Sequence, residues 1–231
     1  MKPSKKVAVV IAAYNEGSVI QETCSNLKIT LPSCDVIVVN DGSTDNTHTV
    51  LKEISVVTLN HPINLGQGAA LQTGISYANK EGYEYIITYD ADGQHSAIDA
   101  QSMLQHIQAN PEIDVVLGSR FLRIEDIQKV PRIKQRLLKL ATFFTTWTTG
   151  LKLTDTHNGL RVLGPKAIQS INLKENGMTH ASEFLEQVAK LKLNYIEMPT
   201  TIIYTEYSMK KGQKLSNSLN ILWDLFTKRM K

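Results

Sequence analysis

Five short runs of apolar and β-branched residues recur along the first half of this chain: Val7–Ala13, Val36–Asn40, Val56–Asn60, Tyr85–Tyr89 and Val115–Gly118. Each is too short for a stable helix and apolar nearly throughout, and each breaks off into polar residues or glycine. That is the pattern of strands buried on both faces of a sheet. Helix-compatible stretches at 17–30, 44–53, 67–80 and 97–109 lie between them, with Ser43-Thr44-Asp45 offering caps to the second and Gln67-Gly68-Ala69-Ala70 opening the third. Strand and helix repeated four times predict an α/β chain with a Rossmann-like, doubly wound, mostly parallel sheet. After residue 120 the rhythm breaks into a basic amphipathic stretch (129–149), a helix near 181–191, a strand near 194–204 and a C-terminal helix near 215–230. No linker interrupts the chain, so residues 1–231 are expected to form a single compact domain.

Composition narrows the partners. With 231 residues, 42% apolar and 20% charged, the chain is an ordinary globular protein, and a net charge of +3 gives no bulk case for nucleic acid. The charge is unevenly placed. Residues 121–152 hold seven Lys/Arg against two acids, and 207–231 hold six against one, so each segment is +5 and the rest is acidic. Cys24 and Cys34 are too few for a disulfide framework, and the apolar stretch after MKPSKK is too short for a signal peptide. No run reaches the length of a spanning helix. The expectation is a cytoplasmic protein, or one peripheral on the cytoplasmic face of the membrane.

In an open α/β sheet ligands bind beyond the carboxyl ends of the strands. Four strands here end in Ala13-Tyr14-Asn15-Glu16, Asn40-Asp41-Gly42-Ser43, Asp90-Ala91-Asp92-Gly93-Gln94 and Gly118-Ser119-Arg120, which gathers them on one rim. Asp90 and Asp92, with Gln94 as a neutral oxygen donor, suit a hard divalent cation that also takes phosphate oxygens; the alternative is an acidic turn capping the next helix. Asp41 suits a ribose hydroxyl or a base N–H. Asn64-Leu65-Gly66-Gln67-Gly68 looks like a phosphate loop but lacks the P-loop lysine, so a capping loop is the alternative.

As an ordered set, these motifs together with Gln94-His95 and Gly118-Ser119-Arg120 resemble glycosyltransferase family 2 over about residues 7–205. Asp90-Ala91-Asp92-Gly93-Gln94, the later Asp155-Thr156-His157-Asn158-Gly159-Leu160-Arg161 and Glu197-Met198-Pro199 most resemble its polyprenol-phosphate mannosyl and glucosyl synthase branch. The resemblance implies a GT-A fold and an inverting hexosyltransferase using a nucleotide-diphosphate sugar, a UDP- or GDP-sugar. It further implies a nucleotide-sugar site at Ala13, Tyr14, Asn15, Glu16, Asp41, Gly68, Asp90 and Ala91. Asp90, Asp92 and Gln94 would hold Mg²⁺ or Mn²⁺, and Arg120 would bind phosphate. Residues 1–120 would form the nucleotide-sugar half, 121–205 the acceptor half and 206–231 a basic C-terminal segment. Three departures stand out: Ala12-Ala13 replaces the usual proline, His157-Asn158 replaces small residues, and membrane helices common after the catalytic domain are absent.

The acceptor is expected to be a polyprenyl phosphate or a glycan or lipid-linked intermediate. A hydroxyl acceptor needs a base, for which Asp155 is the first candidate with His157 and Glu183 behind it; a lipid phosphate is already ionised and needs none. Arg132, Arg136, Arg161 and Lys214 are further candidates for acceptor or phosphate contact. Arg132, Lys134, Arg136 and Lys139 interleave with Ile133, Leu137, Leu138 and Leu140, which suits a phosphate with an apolar tail or an anionic bilayer, or else an ordinary solvated helix face. The C-terminal stripe Leu215, Leu219, Leu222 and Phe226 reads first as packing or homo-oligomer surface, then as membrane contact. A nucleotidyltransferase is disfavoured because Tyr14-Asn15-Glu16 stands where its basic glycine-rich loop belongs. A catalytically inactive sugar-nucleotide-binding module is the remaining alternative.

Overall fold

The computed structural model describes residues 6–123, 127 and 132–203. Its elements in chain order are β1 (Val7–Ala13), α1 (Ile20–Thr30), β2 (Cys34–Asp41), α2 (Thr47–Glu53), β3 (Val57–His61), α3 (Gln67–Lys80) and β4 (Tyr85–Asp90). They continue with α4 (Ala97–Ala109), β5 (Val115–Ser119), α5 (Arg132–Thr149), β6 (Arg161–Leu163), α6 (Pro165–Ser170), α7 (His180–Lys190) and β7 (Tyr195–Pro199). The strands form one sheet in the order β3-β2-β1-β4-β6-β5-β7. Every pairing is parallel except the two made by β6, which runs antiparallel between β4 and β5.

The uniformly apolar strands follow from burial on both faces. Val7, Val9, Ile11 and Ala13 of β1 join the core that α1 and α4 cover, while Ala8 and Val10 join the core containing α3 and α7 residues such as Ile75 and Phe184. With side chains alternating across the pleat, both sets must be apolar. Close packing of α3 is set by Gly74, where an added Cβ would stand 2.3 Å from Val10 Cγ1.

Sheet register fixes the rim. Ala13 pairs with Asn40 and Ala12 with Asp90, so β1, β2 and β4 end level with one another. Ser119 pairs with Pro199 on the other side of β6. The short β6 and α6 were not expected from the sequence: Arg161 opens a three-residue strand, too short to show a period and begun by a charged side chain. The expected C-terminal helix at 215–230 and Lys214 lie outside the described residues.

Candidate active site

The first two motifs are sewn together by backbone capping. Asn15 adopts a positive φ of 56° and its Oδ1 accepts from Thr44 N at 2.8 Å, while its own N–H donates to Ser43 Oγ at 3.0 Å. The Glu16 N–H donates to Thr47 Oγ1 and the Gly17 N–H to Asp45 Oδ2. Ala13 and Ala91 are buried, Ala91 accepting from Thr23 Oγ1 through its carbonyl, whereas Tyr14 is exposed at the rim.

Asp41 departs from its expected role. Its Oδ1 accepts from Leu65 N (2.9 Å) and His61 Nδ1 (2.7 Å), and its Oδ2 accepts from Gly66 N (2.8 Å). The 64–68 loop thus behaves as an anion cradle of consecutive N–H groups, and the anion it holds is the protein's own buried carboxylate. Gly68 is likewise turned away from the open rim: its N–H donates to Asn176 O at 2.8 Å, and an added Cβ would stand 2.0 Å from Glu175 O. Beside Asp41 opens a cleft of about 480 Å³ lined by Asn40, Gly42, Ser43, Thr44, His48, Asn60, His61 and Pro62. Asn40 Nδ2 donates to Asn60 Oδ1, which also meets His48 Nδ1, so amide and imidazole groups rather than Asp41 face this space.

At the end of β4 the charges are out of balance. Asp90 Oδ2 accepts from His95 Nε2 at 2.8 Å and Oδ1 from Gln67 Nε2 at 3.2 Å. Burial pushes the Asp90 carboxyl up, but His95, His180 and Arg161 together outweigh it and hold it below the usual carboxylate range. Asp92 has weaker support, from the Gln94 backbone N–H and the more distant charge of His95. Burial and the neighbouring Asp90 push its carboxyl up to about 6. The ring of His95 is fixed by this bond and by an edge contact with Tyr89, whose hydroxyl donates to the His95 carbonyl. Gln94 contributes its backbone N–H to Asp92 Oδ1 at 3.0 Å.

A divalent cation fits this turn. The uncompensated charge at Asp92 beside Asp90 is what a dication relieves; a cation held here would have only these two carboxylates, since no group of three or more His, Cys, Asp or Glu ligands occurs among the described residues. Two carboxylates with the remaining positions left to phosphate and water match Mg²⁺-type coordination.

Just past the end of β5, Arg120 and Asp155, expected to act separately, form one buried pair. Arg120 donates from Nε to Asp155 Oδ2 and from Nη2 to Oδ1, both at 2.6 Å, and from its backbone N at 3.1 Å. Burial pushes the Asp155 carboxyl up, yet Arg120's charge and hydrogen bonds hold it below the usual range, so it is a poor proton acceptor. Glu197 clasps the same loop, accepting from Thr154 N, Thr154 Oγ1 and Asp155 N. Glu183, the other carboxylate weighed as a base, accepts from Lys174 N and Glu175 N. Burial pushes His157 down to about 4.

Arg161 differs from Arg120. It is buried, donates from Nε to Asn158 O at 3.2 Å, and lies 4.3 Å over the Phe184 ring. Burial lowers it to about 10, against the opposing influence of Asp90 and Asp155. Gly159 brings this segment against the acids: an added Cβ there would stand 2.4 Å from Asp90 Oδ2, and Thr88 Oγ1 donates to its carbonyl at 2.7 Å. The sequence contained Gly159 and Glu197 but no local signal of these contacts. Arg136 is exposed on α5.

The family model for Glycosyl transferase family 2 matches residues 8–171, most of the chain. The chain belongs to glycosyl transferase family 2. It is similar to the UDP-N-acetylglucosamine–dolichyl-phosphate N-acetylglucosaminyltransferase of Methanococcus voltae, at 31% identity over 98% of this chain and 97% of that protein. The polyprenol monophosphomannose synthase of Mycolicibacterium smegmatis is 22% identical over 91% of this chain and 82% of its own length. These relatives support the polyprenol-phosphate branch of this glycosyltransferase family. Among solved structures, glucosyl-3-phosphoglycerate synthase from Mycobacterium tuberculosis, crystallised with Mn²⁺, uridine diphosphate and phosphoglyceric acid, superposes with a TM-score of 0.73 at 14% identity, covering 97% of this chain and 78% of that one. That likeness establishes the GT-A fold.

Proposed function

We propose that this family 2 glycosyltransferase moves a hexose from a UDP- or GDP-sugar to a polyprenyl phosphate, with inversion and with Mg²⁺ or Mn²⁺. The observation carrying the acceptor is the contrast between Arg161 and the carboxylates around it. Asp155 and Glu183 already hold protein donors, while a buried guanidinium lies in the field of Asp90 beside the donor turn. A site with cationic help, whose Asp155 and Glu183 are held by protein donors and whose Asp92 would be taken up by the cation, suits an acceptor that arrives ionised, as a phosphate does, rather than a hydroxyl.

In this reading the cleft at Asn40, Ser43 and Asn60 takes the nucleoside, and Tyr14 and Glu16 border it at the rim. Asp90 and Asp92 would hold the cation, with Gln94 ordering Asp92 through its backbone. The cation would supply charge stabilisation for the departing diphosphate. Arg161 orients the acceptor phosphate oxygen toward the anomeric carbon, and Gly159 lets the Arg161 segment approach Asp90. The Arg120–Asp155 pair keeps the 154–158 loop in place. Residues 1–120 would thereby form the donor half and 121–205 the acceptor half.

Transfer of radiolabelled sugar from UDP- and GDP-sugars to a polyprenyl phosphate, with and without Mn²⁺, tests the reading. UDP-N-acetylglucosamine is the first donor to try, because the M. voltae relative is named for it. The expected result is metal-dependent product formation with the lipid phosphate. Transfer to a polyprenol lacking the phosphate at an equal rate would sink the acceptor assignment.

A further inference from the structure

We propose that His180, in the first turn of α7, is a specificity-determining residue whose Nε2 accepts a hydrogen bond from a hydroxyl or amide N–H of the donor's sugar. The other ring nitrogen decides what Nε2 can meet. His180 Nδ1 lies 2.8 Å from the Gly177 carbonyl oxygen, and a carbonyl only accepts, so Nδ1 carries the proton. In the neutral ring Nε2 then presents a bare lone pair. Burial and the Arg161 charge push His180 below its usual value, and a cation at Asp90 would act in the same direction.

Nε2 has no protein donor. Among the described residues it makes no hydrogen bond, and the one buried side-chain nitrogen or oxygen left without a partner is His95 Nδ1. His180 Nε2 is therefore not sealed inside the protein, although the residue as a whole is buried. Its neighbours place that nitrogen by the β4 turn. His180 and Arg161 both help to hold the Asp90 carboxyl down, both lower His157, and a Cβ added to Gly68 at the start of α3 would stand 2.7 Å from His180 Cβ.

A lone pair in this place needs a ligand group that donates. The cation does not serve, because no group of three His, Cys, Asp or Glu ligands occurs among the described residues, so His180 does not join Asp90 and Asp92 as a third ligand. Ionised phosphate oxygens present only lone pairs, which excludes the donor's diphosphate and the acceptor's phosphate. With the nucleoside in the cleft beside Asp41, the part of the donor left to meet His180 is the sugar, which carries O–H groups and, in an N-acetyl sugar, an N–H. A desolvated acceptor discriminates against a sugar that lacks the matching group, because the lone pair is then left unpaired. This role rests on the donor-site reading above and adds to it the side chain that reads the sugar.

Two substitutions separate the two nitrogens. Asparagine places its amide where Nδ1 stands and can still donate to the Gly177 carbonyl, so His180→Asn removes only the Nε2 acceptor. His180→Gln carries an amide oxygen to the place of Nε2. Calorimetry with Mn²⁺ on the full chain compares UDP with UDP-N-acetylglucosamine and UDP-glucose, and GDP with GDP-mannose. The expected result is that His180→Asn weakens binding of the nucleotide sugar by about five- to tenfold, the scale of one neutral hydrogen bond, with the sugar-free nucleoside diphosphate and the melting temperature unchanged. His180→Gln should recover most of the loss. Among analogues of that donor, each lacking one hydroxyl or the acetamido group, the one without the partner group should bind wild type and His180→Asn alike. Equal weakening of nucleoside diphosphate and nucleotide sugar overturns the proposal, since His180 then acts through the β4 turn or the 175–177 loop. So does a His180→Asn protein that binds both as the wild type does. Failure of the wild type to bind any of these nucleotides instead removes the donor-site reading, and this role with it.

Discussion

The β4 turn and the 154–158 loop handle charge in opposite ways. Around Asp155 the carboxylates are filled by protein donors: Arg120 holds Asp155 bidentately, and Glu197 accepts from Thr154 and from the Asp155 backbone. At the β4 turn the match is incomplete, with Asp90 supported by His95 and Arg161 while Asp92 is pushed up to about 6. Matched charges hold a loop still. Mismatched ones create a place for a ligand of opposite sign, which is the physical sense in which perturbed titration marks functional sites.

The sharpest way to break the comparison is Asp92→Asn. Removing the mismatch should cost about 10²-fold or more in kcat for metal-dependent transfer, by analogy with lost electrostatic stabilisation, while the melting temperature stays level or rises. Near-normal turnover would show that the turn is not the metal site. The reverse pattern is expected of Asp155→Asn, which strands the Arg120 guanidinium in a buried place; urea unfolding should show a loss of about 3 kcal/mol, larger than any loss at Asp92. Equal stability would mean the pair is not formed in solution.

Two finer predictions probe how the halves meet. Gly159→Ala pushes a methyl into the Asp90 carboxylate, and calorimetry should find Mn²⁺ affinity reduced by about tenfold, on the scale of lost ligand support, in a protein that still folds. The smallest effect is of pH. An Asp raised in the folded state is bound by its proton more tightly there than in the unfolded chain, so its contribution to stability is present below the unfolded value near ~3.9 and lost as pH rises through about 6. Metal-free wild type should therefore lose stability relative to Asp92→Asn between those values, and Mn²⁺ affinity should fall as pH drops through about 6. Parallel pH curves for the two proteins would remove the assigned cause.

Strands β1 to β5 were legible because burial on both faces demands a continuous apolar run, and α3 and α4 because such runs alternate with longer amphipathic ones. The strand β6 was hidden, since three residues carry no period and their partners lie far away in sequence. Of the site, the Asp90–Asp92 turn was legible as two carboxylates directly after a strand. Asp41 was legible as an acid at the rim but not as the anion of its own loop, because the N–H groups that hold it lie in residues 65 and 66. The same applies to Arg120 and Asp155, read as a phosphate ligand and a base and found as one pair across 35 positions.

The sequence by itself determined the layered α/β architecture, the family and the rim on which the acids gather. These follow from local periodicity and from residues adjacent to strand ends. Only the tertiary structure decided which charges are matched and which are left over, and that α5 exposes Leu140, Phe143 and Trp147. Pairing energies depend on distance and burial, and both are set by contacts between segments that the order of residues alone does not place side by side.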